Sequence, residues 1–258
     1  MWPLVKAIVC FDLDGTLLQD DKTVAKDSLQ AIATLAANGS LPVVATGRNR
    51  FEVADILAQT NIDTVVAANG SEVVFRGQTQ QQVVLPTELV AAFTAFAAAH
   101  HDPVGWYNAN GFALSAENAD TKENYQLLHL NAHVEPDWYQ HHPVNFMFVF
   151  DRGNEGLFQQ HFERDLSLVR NNVRGLDVMK RGVSKQTGLA DLIKGAHLTG
   201  VPTYAFGDAA NDLPMFDFVD HPIAMGNATP AVKAQAEYVT TSNMAHGISN
   251  GLMQYGLI

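Results

Sequence analysis

The apolar run Ala7-Ile8-Val9-Cys10 leads directly into Phe11-Asp12-Leu13-Asp14-Gly15-Thr16. A short run rich in β-branched residues, closed by acids and a glycine, reads as a buried strand ending in a turn. Glycine gives the backbone the freedom to turn there. Buried strands of α/β proteins end at the crevice where ligands bind. Two carboxylates at spacing two can both face that crevice. One can act as a nucleophile while the other moves a proton, and both can help hold a hard cation. The hexapeptide alone also fits a strand followed by an ordinary acidic turn.

Three further segments carry compatible chemistry. Leu41-Pro42-Val43-Val44-Ala45 reads as a second strand, followed by Thr46-Gly47-Arg48 and a helical pattern over 50–59. A hydroxyl and a glycine amide at a helix N-terminus make a seat for phosphate. Residues 201–206 read as another strand, and Gly207-Asp208-Ala209-Ala210-Asn211-Asp212 follows, before a helix beginning near Leu213. Lys185, in Gly182-Val183-Ser184-Lys185, is placed just ahead of a helix over 187–194.

Acids, a hydroxyl, a lysine and acids again, mostly at strand C-termini, resemble the haloacid dehalogenase superfamily of phosphohydrolases. The details resemble its Cof-type branch of sugar-phosphatase-like members. Asp12 and Asp14 match the first motif, Thr46 the second, Lys185 the third, and Asp208 with Asp212 the fourth. Asn69-Gly70-Ser71 resembles the segment before the family's cap domain, and Ala224-Met225-Gly226-Asn227-Ala228 its stretch after the fourth motif. The resemblance covers nearly the whole chain and is weakest in the middle third. One departure is that Asn243-Met244-Ala245-His246 precedes Gly247-Ile248, where the family often has acids. This departure bears on metal binding or loop ordering at that position, not on the main site.

The resemblance implies an α/β protein with a Rossmann-like parallel-sheet core and an inserted α+β cap domain. It implies a magnesium-dependent phosphatase acting on small phosphorylated metabolites, sugar phosphates foremost, through an aspartyl-phosphate intermediate. Asp12 is then the nucleophile. Asp14 is the general acid and base, facing the metal through its backbone carbonyl so that its carboxyl stays free for protons. Asp208 is the main additional metal ligand, with Asp212 as a second ligand or outer support. Thr46 and the Gly47 amide seat the phosphoryl oxygens, and Lys185 neutralises charge on them and on Asp12. Asn211 bonds phosphate, orients Lys185 or caps a helix. Arg48 contacts substrate or braces its loop. P-type ATPases carry threonine where this chain has Asp14, which favours a hydrolase over a pump. The runner-up activity is a phosphomutase, recognised by isomerised rather than hydrolysed sugar phosphate. The alternative from another class is an idle sensor of phosphorylated ligands, which would be expected to have lost at least one of Asp12, Asp14, Lys185 and Asp208.

Composition narrows the partners. At 258 residues and 47% hydrophobic, the chain makes one large domain or two smaller ones with an ordinary core. No apolar run approaches the ~20 residues that cross a bilayer. Met1-Trp2-Pro3, then Lys6 and a short strand, does not read as a secretory signal. The single cysteine, Cys10, fits a reducing cytoplasm. Inside a strand, with no histidine nearby in sequence, it reads as a small core residue rather than a nucleophile. A net charge of −11 with only 16 Lys and Arg argues against nucleic acid or anionic membrane as partner. It would also repel a phosphorylated substrate, unless a divalent cation and Lys185 reverse the sign locally. A monomer or weak homodimer is expected.

The first third alternates strand and helix, with Leu29, Ile32, Ala33 and Ala36 at helical spacing and Gly39 just past that helix. Such alternation builds right-handed βαβ units and a parallel sheet. It resumes after Lys185. The middle instead shows an alanine-rich helix over 88–99, a hairpin turning at Ala109-Asn110-Gly111, a helix over 122–130, strands over 145–150, 168–173 and 176–179, and a helix over 155–165. Only 31 residues separate Asp14 from Thr46, whereas 136 separate Arg48 from Lys185. The core is therefore expected over 1–80 and 183–258, with the cap at 81–182. The pairs His100-His101 and His141-His142 lack metal-ligand spacing and read as solvated. Trp106, Tyr107, Trp138 and Tyr139 read as packing residues, with Trp106 and Tyr107 the first candidates for substrate contact.

Overall fold

The computed structural model describes residues 4–128 and 130–258. The reading of Met1-Trp2-Pro3, and residue 129 of the helix expected over 122–130, lie outside the described residues. Two compact units are present: Met1–Gln81 with Ser184–Ile258, and Gln82–Val183. No helix among the described residues is long and apolar enough to cross a membrane.

The first unit is built on eight strands: β1 (Ile8–Phe11), β2 (Leu41–Ala45), β3 (Val65–Ala67), β4 (Glu72–Phe75), β5 (Gln78–Gln82) and, after the second unit's five, β11 (Thr203–Gly207), β12 (His221–Ala224) and β13 (Tyr238–Val239). Their order is β13-β12-β11-β1-β2-β3-β4-β5. β1 pairs in parallel with β2 on one side and β11 on the other. All four residues of β1 are buried, as expected for a strand covered on both faces. Because the chain leaves β1 towards β2 and returns on its other side at β11, a crevice opens at the C-terminal ends of these three strands. The loops following them begin at Asp12, Thr46 and Asp208.

The helix after β1 runs Lys26–Ala37, but its buried stripe is Ser28, Ala31, Ile32 and Leu35. Ala33 and Ala36, expected inward, face solvent; the larger Leu35 takes the core position and rotates the helix accordingly. β4 buries Val73 and Val74, whereas β5, at the sheet edge, is uniformly polar over Gln78–Gln82 and carries no strand signal of its own. They are joined at Arg76 and Gly77, both with positive φ (+49° and +76°), as a tight hairpin turn requires.

The helix that begins with Lys185 runs Lys185–Gly195 and is capped by Ser184, whose side chain accepts from the Thr187 amide while the Thr187 hydroxyl accepts from the Ser184 amide. Lys185 is thus inside the first helical turn, not ahead of it, because the capping pair starts the helix two residues early. This helix packs glycine to glycine. A Cβ on Gly188 would stand 2.5 Å from Val66 Cγ1 and 2.7 Å from Gly70 Cα. Gly70 itself has φ +99°, and a Cβ there would stand 2.1 Å from the Ser184 carbonyl oxygen.

The second unit is an antiparallel sheet of β6 (Val104–Asn108), β7 (Gly111–Leu114), β8 (Phe146–Val149), β9 (Leu166–Asn172) and β10 (Gly175–Lys180), in the order β7-β6-β8-β10-β9. Helices Thr87–Ala99 and Glu155–Phe162 pack Val90, Phe93, Phe158 and Phe162 against Trp106, Met147 and Val178 in one apolar core. Trp106 is fully buried and its indole N–H donates to Thr94 Oγ1 at 3.1 Å. Tyr107 is buried on the opposite sheet face, its hydroxyl bonded to that of Tyr125 and its ring stacked on Phe112. Both are packing residues, as expected, and their burial speaks against the choice of them as first candidates for substrate contact: alternate positions of β6 face opposite sides of the sheet, and buried side chains line both. Trp138 is buried too, while His101, His141 and His142 are exposed.

Replacing Gly188 by alanine tests the close helix contact. Helix propensity alone would stabilise by about 1 kcal/mol, whereas forcing a methyl against packed backbone costs about 1–3 kcal/mol. Gly188→Ala is expected to lower the midpoint of urea denaturation. A raised midpoint would show that the helix has room to spare.

Candidate active site

The site begins with Lys185. Its side chain is fully buried, yet its ammonium carries two charge-assisted hydrogen bonds, to Asp12 Oδ1 at 2.5 Å and Asp212 Oδ1 at 2.8 Å. A buried cation persists only when paired in this way. The two acids raise its pKa despite the opposing effect of burial. Asp12 sits just past the end of β1, its amide donating to the Phe206 carbonyl on β11 at 3.0 Å. Asp212 is fully buried, and its other oxygen accepts from the amides of Asp208 (2.9 Å) and Ala209 (3.0 Å), fixing the loop that follows β11.

Asp12, Asp208 and Asp212 each bring a carboxylate oxygen within 4.8 Å of one another. Burial pushes Asp12 up to about 8 against the pull of Lys185, with Asp212 and Asp208 adding to the rise. Asp208 is raised to about 6, again by burial first, with Asp212 adding and the Thr16 hydrogen bond opposing. Clustered acids whose charge is this costly fit a divalent cation. Fully ionised, the three carboxylates would outnumber the one ammonium by two charges, and an all-oxygen donor set suits a hard ion such as magnesium.

Asp14 belongs to a different environment. Its carboxylate accepts from Arg48 Nε (2.7 Å), Arg48 Nη2 (2.6 Å) and Lys22 Nζ (2.7 Å). Burial opposes its ionisation, but the bonds and charge of Arg48, then of Lys22, hold its pKa below the usual carboxylate range. Of the two roles open for Arg48 from sequence, the geometry supports bracing.

Thr46 is buried at the end of β2, and its hydroxyl accepts the Arg48 amide at 3.1 Å. The segment Ala68–Gly70 folds onto this loop: Ala68 N–H donates to Arg48 O and Asn69 N–H to Thr46 O, each at 2.9 Å. Gly47 lies between these anchors. Asn211 donates to Asn69 Oδ1 at 3.4 Å, so its side chain links two loops of the site rather than capping a helix. Cys10 stays a core residue, its thiol pushed up to about 12 by burial against the pull of Lys185. Thr16 and Lys22 were not singled out from sequence, although both follow the first motif closely. Thr16 Oγ1 donates to Asp208 Oδ1 at 2.9 Å.

The family of haloacid dehalogenase-like hydrolases matches residues 9–252 of the chain. An HMP-PP phosphatase of Yersinia enterocolitica is 30% identical over 239 residues, covering 88% of this chain and 86% of that protein. A hypothetical protein from Geobacillus kaustophilus HTA426 superposes with a TM-score of 0.89 at 30% identity, over 98% of this chain and 100% of the other. The subclass IIB sugar phosphatase BT4131 superposes with a TM-score of 0.88 at 25% identity, over 98% and 100%. With acids and lysine gathered at parallel strand ends and a family match spanning nearly every element, the chain belongs to the haloacid dehalogenase-like hydrolases.

Proposed function

We propose that this phosphoric monoester hydrolase is magnesium-dependent and cleaves small phosphomonoesters, sugar phosphates foremost, through an aspartyl phosphate on Asp12. The observation that carries the reading is the buried Lys185 ammonium set between Asp12 and Asp212, with Asp208 completing a cluster that one divalent cation would balance. The small size of the substrate is supported by the likeness to an HMP-PP phosphatase and to a sugar phosphatase.

In the first step a carboxylate oxygen of Asp12 attacks phosphorus and the bond from phosphorus to the leaving oxygen breaks. Asp14 gives that oxygen a proton. In the second step Asp14 takes a proton from water, the water oxygen attacks the phosphorus of the acyl phosphate, and Asp12 and inorganic phosphate are released. Asp14 is held here as a carboxylate, the form the second step needs; the first step requires it to leave Arg48 and Lys22 and take up a proton. Thr46 and the Gly47 amide hold phosphoryl oxygens, and Lys185 offsets charge that builds on them. Asp12, Asp208 and the Asp14 carbonyl would hold magnesium, with Asp212 as outer support because both its oxygens are engaged. Magnesium, when bound, supplies Lewis-acid stabilisation of the phosphoryl oxygens. Residues 81–182 are assigned the choice among substrates, with the chemistry on the remaining chain.

A phosphate-release screen over many phosphomonoesters with magnesium present tests the activity. Asp12→Asn should fall to background on every substrate the parent turns over, with an unchanged circular dichroism spectrum. Turnover at the parent rate would sink the mechanism.

Excess chelator should remove activity and magnesium should restore it. Calcium, with its larger and looser shell, should substitute poorly. Activity that survives chelator undiminished would rule out the metal.

Losing one preorganised electrostatic contact costs on the order of 10²–10³ in rate. Lys185→Ala should lose at least that in kcat. Lys185→Arg should not restore it, since a planar fork replaces a point charge. A loss of less than about threefold would reduce Lys185 to a purely structural ion pair.

A further inference from the structure

The loop that carries Asp14 is gripped from an unexpected direction. Asn227 Nδ2 donates to the Gly15 carbonyl at 2.7 Å. Asn227 is itself oriented by the Asn243 amide, which donates to its Oδ1 at 3.0 Å. Asn243 Nδ2 then reaches the Leu18 carbonyl at 3.0 Å and Asp20 Oδ1 at 3.3 Å. Two asparagines from the segments after β12 and β13 thus hold the first-motif loop at residues 15, 18 and 20.

The position of Gly15 makes this grip consequential. Its φ is +82°, and a Cβ there would lie 2.4 Å from Asp208 Oδ2. Only glycine fits, and glycine is the residue least able to fix its own backbone. The 14–15 peptide, whose carbonyl belongs to Asp14, would rock about this glycine unless the next peptide were held. The 15–16 peptide is held at both ends, its N–H by the Leu13 carbonyl at 3.1 Å and its carbonyl by Asn227. Thr16 holds the same stretch through Asp208 Oδ1.

We propose that Asn227 is a positioning residue for the cation site. By fixing the Gly15 carbonyl it sets the direction of the Asp14 carbonyl, and Asn243 keeps Asn227 in place. The inference rests on the magnesium reading above. Asn227 acts through backbone geometry, so it tunes cation affinity without touching substrate. Groups that orient metal ligands typically change affinity on the order of 10–100-fold when removed.

The test reads magnesium binding without turnover. The melting temperature of substrate-free protein is followed over a magnesium chloride titration, since a ligand of the folded state raises it by mass action. Asn227→Ala should raise the half-effect concentration about tenfold. Its melting temperature in chelator is the baseline, so that the loss of two hydrogen bonds from the fold is read apart from any loss of cation affinity. Asn227→Asp keeps the shape but loses the donor to Gly15, so it should weaken binding as alanine does. At saturating magnesium, KM should stay near the parent value in both variants. An unchanged half-effect concentration in Asn227→Ala overturns the proposal while leaving the metal site standing. Tighter binding in Asn227→Asp also overturns it, because the residue would then act by charge on the ion. A parent protein that shows no magnesium response overturns the metal reading and this inference with it.

Discussion

One buried ammonium organises the centre of this protein. Lys185 is joined to Asp12, 173 residues away in sequence, and to Asp212, 27 residues away. It ties the start of the helix Lys185–Gly195 to the loops that leave β1 and β11, two strands already paired in parallel. Removing one partner of a buried ion pair strands the other, at a cost of about 3–5 kcal/mol. The same pairing explains why the helix Lys185–Gly195 must come close. Its first turn can deliver Lys185 to Asp12 only if the helix descends onto Gly70 and Val66, and a glycine at 188 permits that descent.

The carboxylates at this centre are differentiated by their surroundings rather than by residue type. Asp12 and Asp208 are pushed up by burial among like charges, and Asp14 is held down by two cations. Environments that push paired acids apart mark distinct chemical tasks. Asp212 takes no proton-transfer task in this scheme. Its two oxygens are occupied by Lys185 and by the amides of Asp208 and Ala209, so it shapes the loop that presents Asp208.

The parts of the fold that bury apolar side chains on both faces were legible from sequence. The β1, β2 and β11 runs, with the acids after β1 and β11 and the Thr46-Gly47 pair after β2, leave few alternative readings. The positions of Asp12, Asp208, Asp212 and Lys185 in one cluster follow from that order. Elements without an apolar rhythm were not legible. Gln78–Gln82 pairs as an edge strand through its backbone, which any side chain allows. Helices Pro230–Gln235 and Gly247–Gln254 are too short to show a clear period. The roles of Asn227 and Asn243 were hidden for another reason. Each acts on a backbone carbonyl more than 200 residues away, and such a bond leaves no spacing to read. Trp106 and Tyr107 were read correctly as packing residues, but the choice of them as substrate contacts failed because both sides of β6 are filled.

Charge sets the order of events at this site. The chain carries a net charge of −11, and its centre holds three carboxylates against one ammonium. Arg48 and Lys22 are engaged with Asp14. A phosphate dianion therefore meets a negative centre unless a divalent cation is already there. On the proposed reading a bound divalent cation would offset that charge, and Lys185 and the Gly47 amide would then act on the phosphoryl group with little screening by water. The proposed scheme therefore has the cation bind before the substrate, which would place the control of turnover on whatever holds the cation's ligands in position.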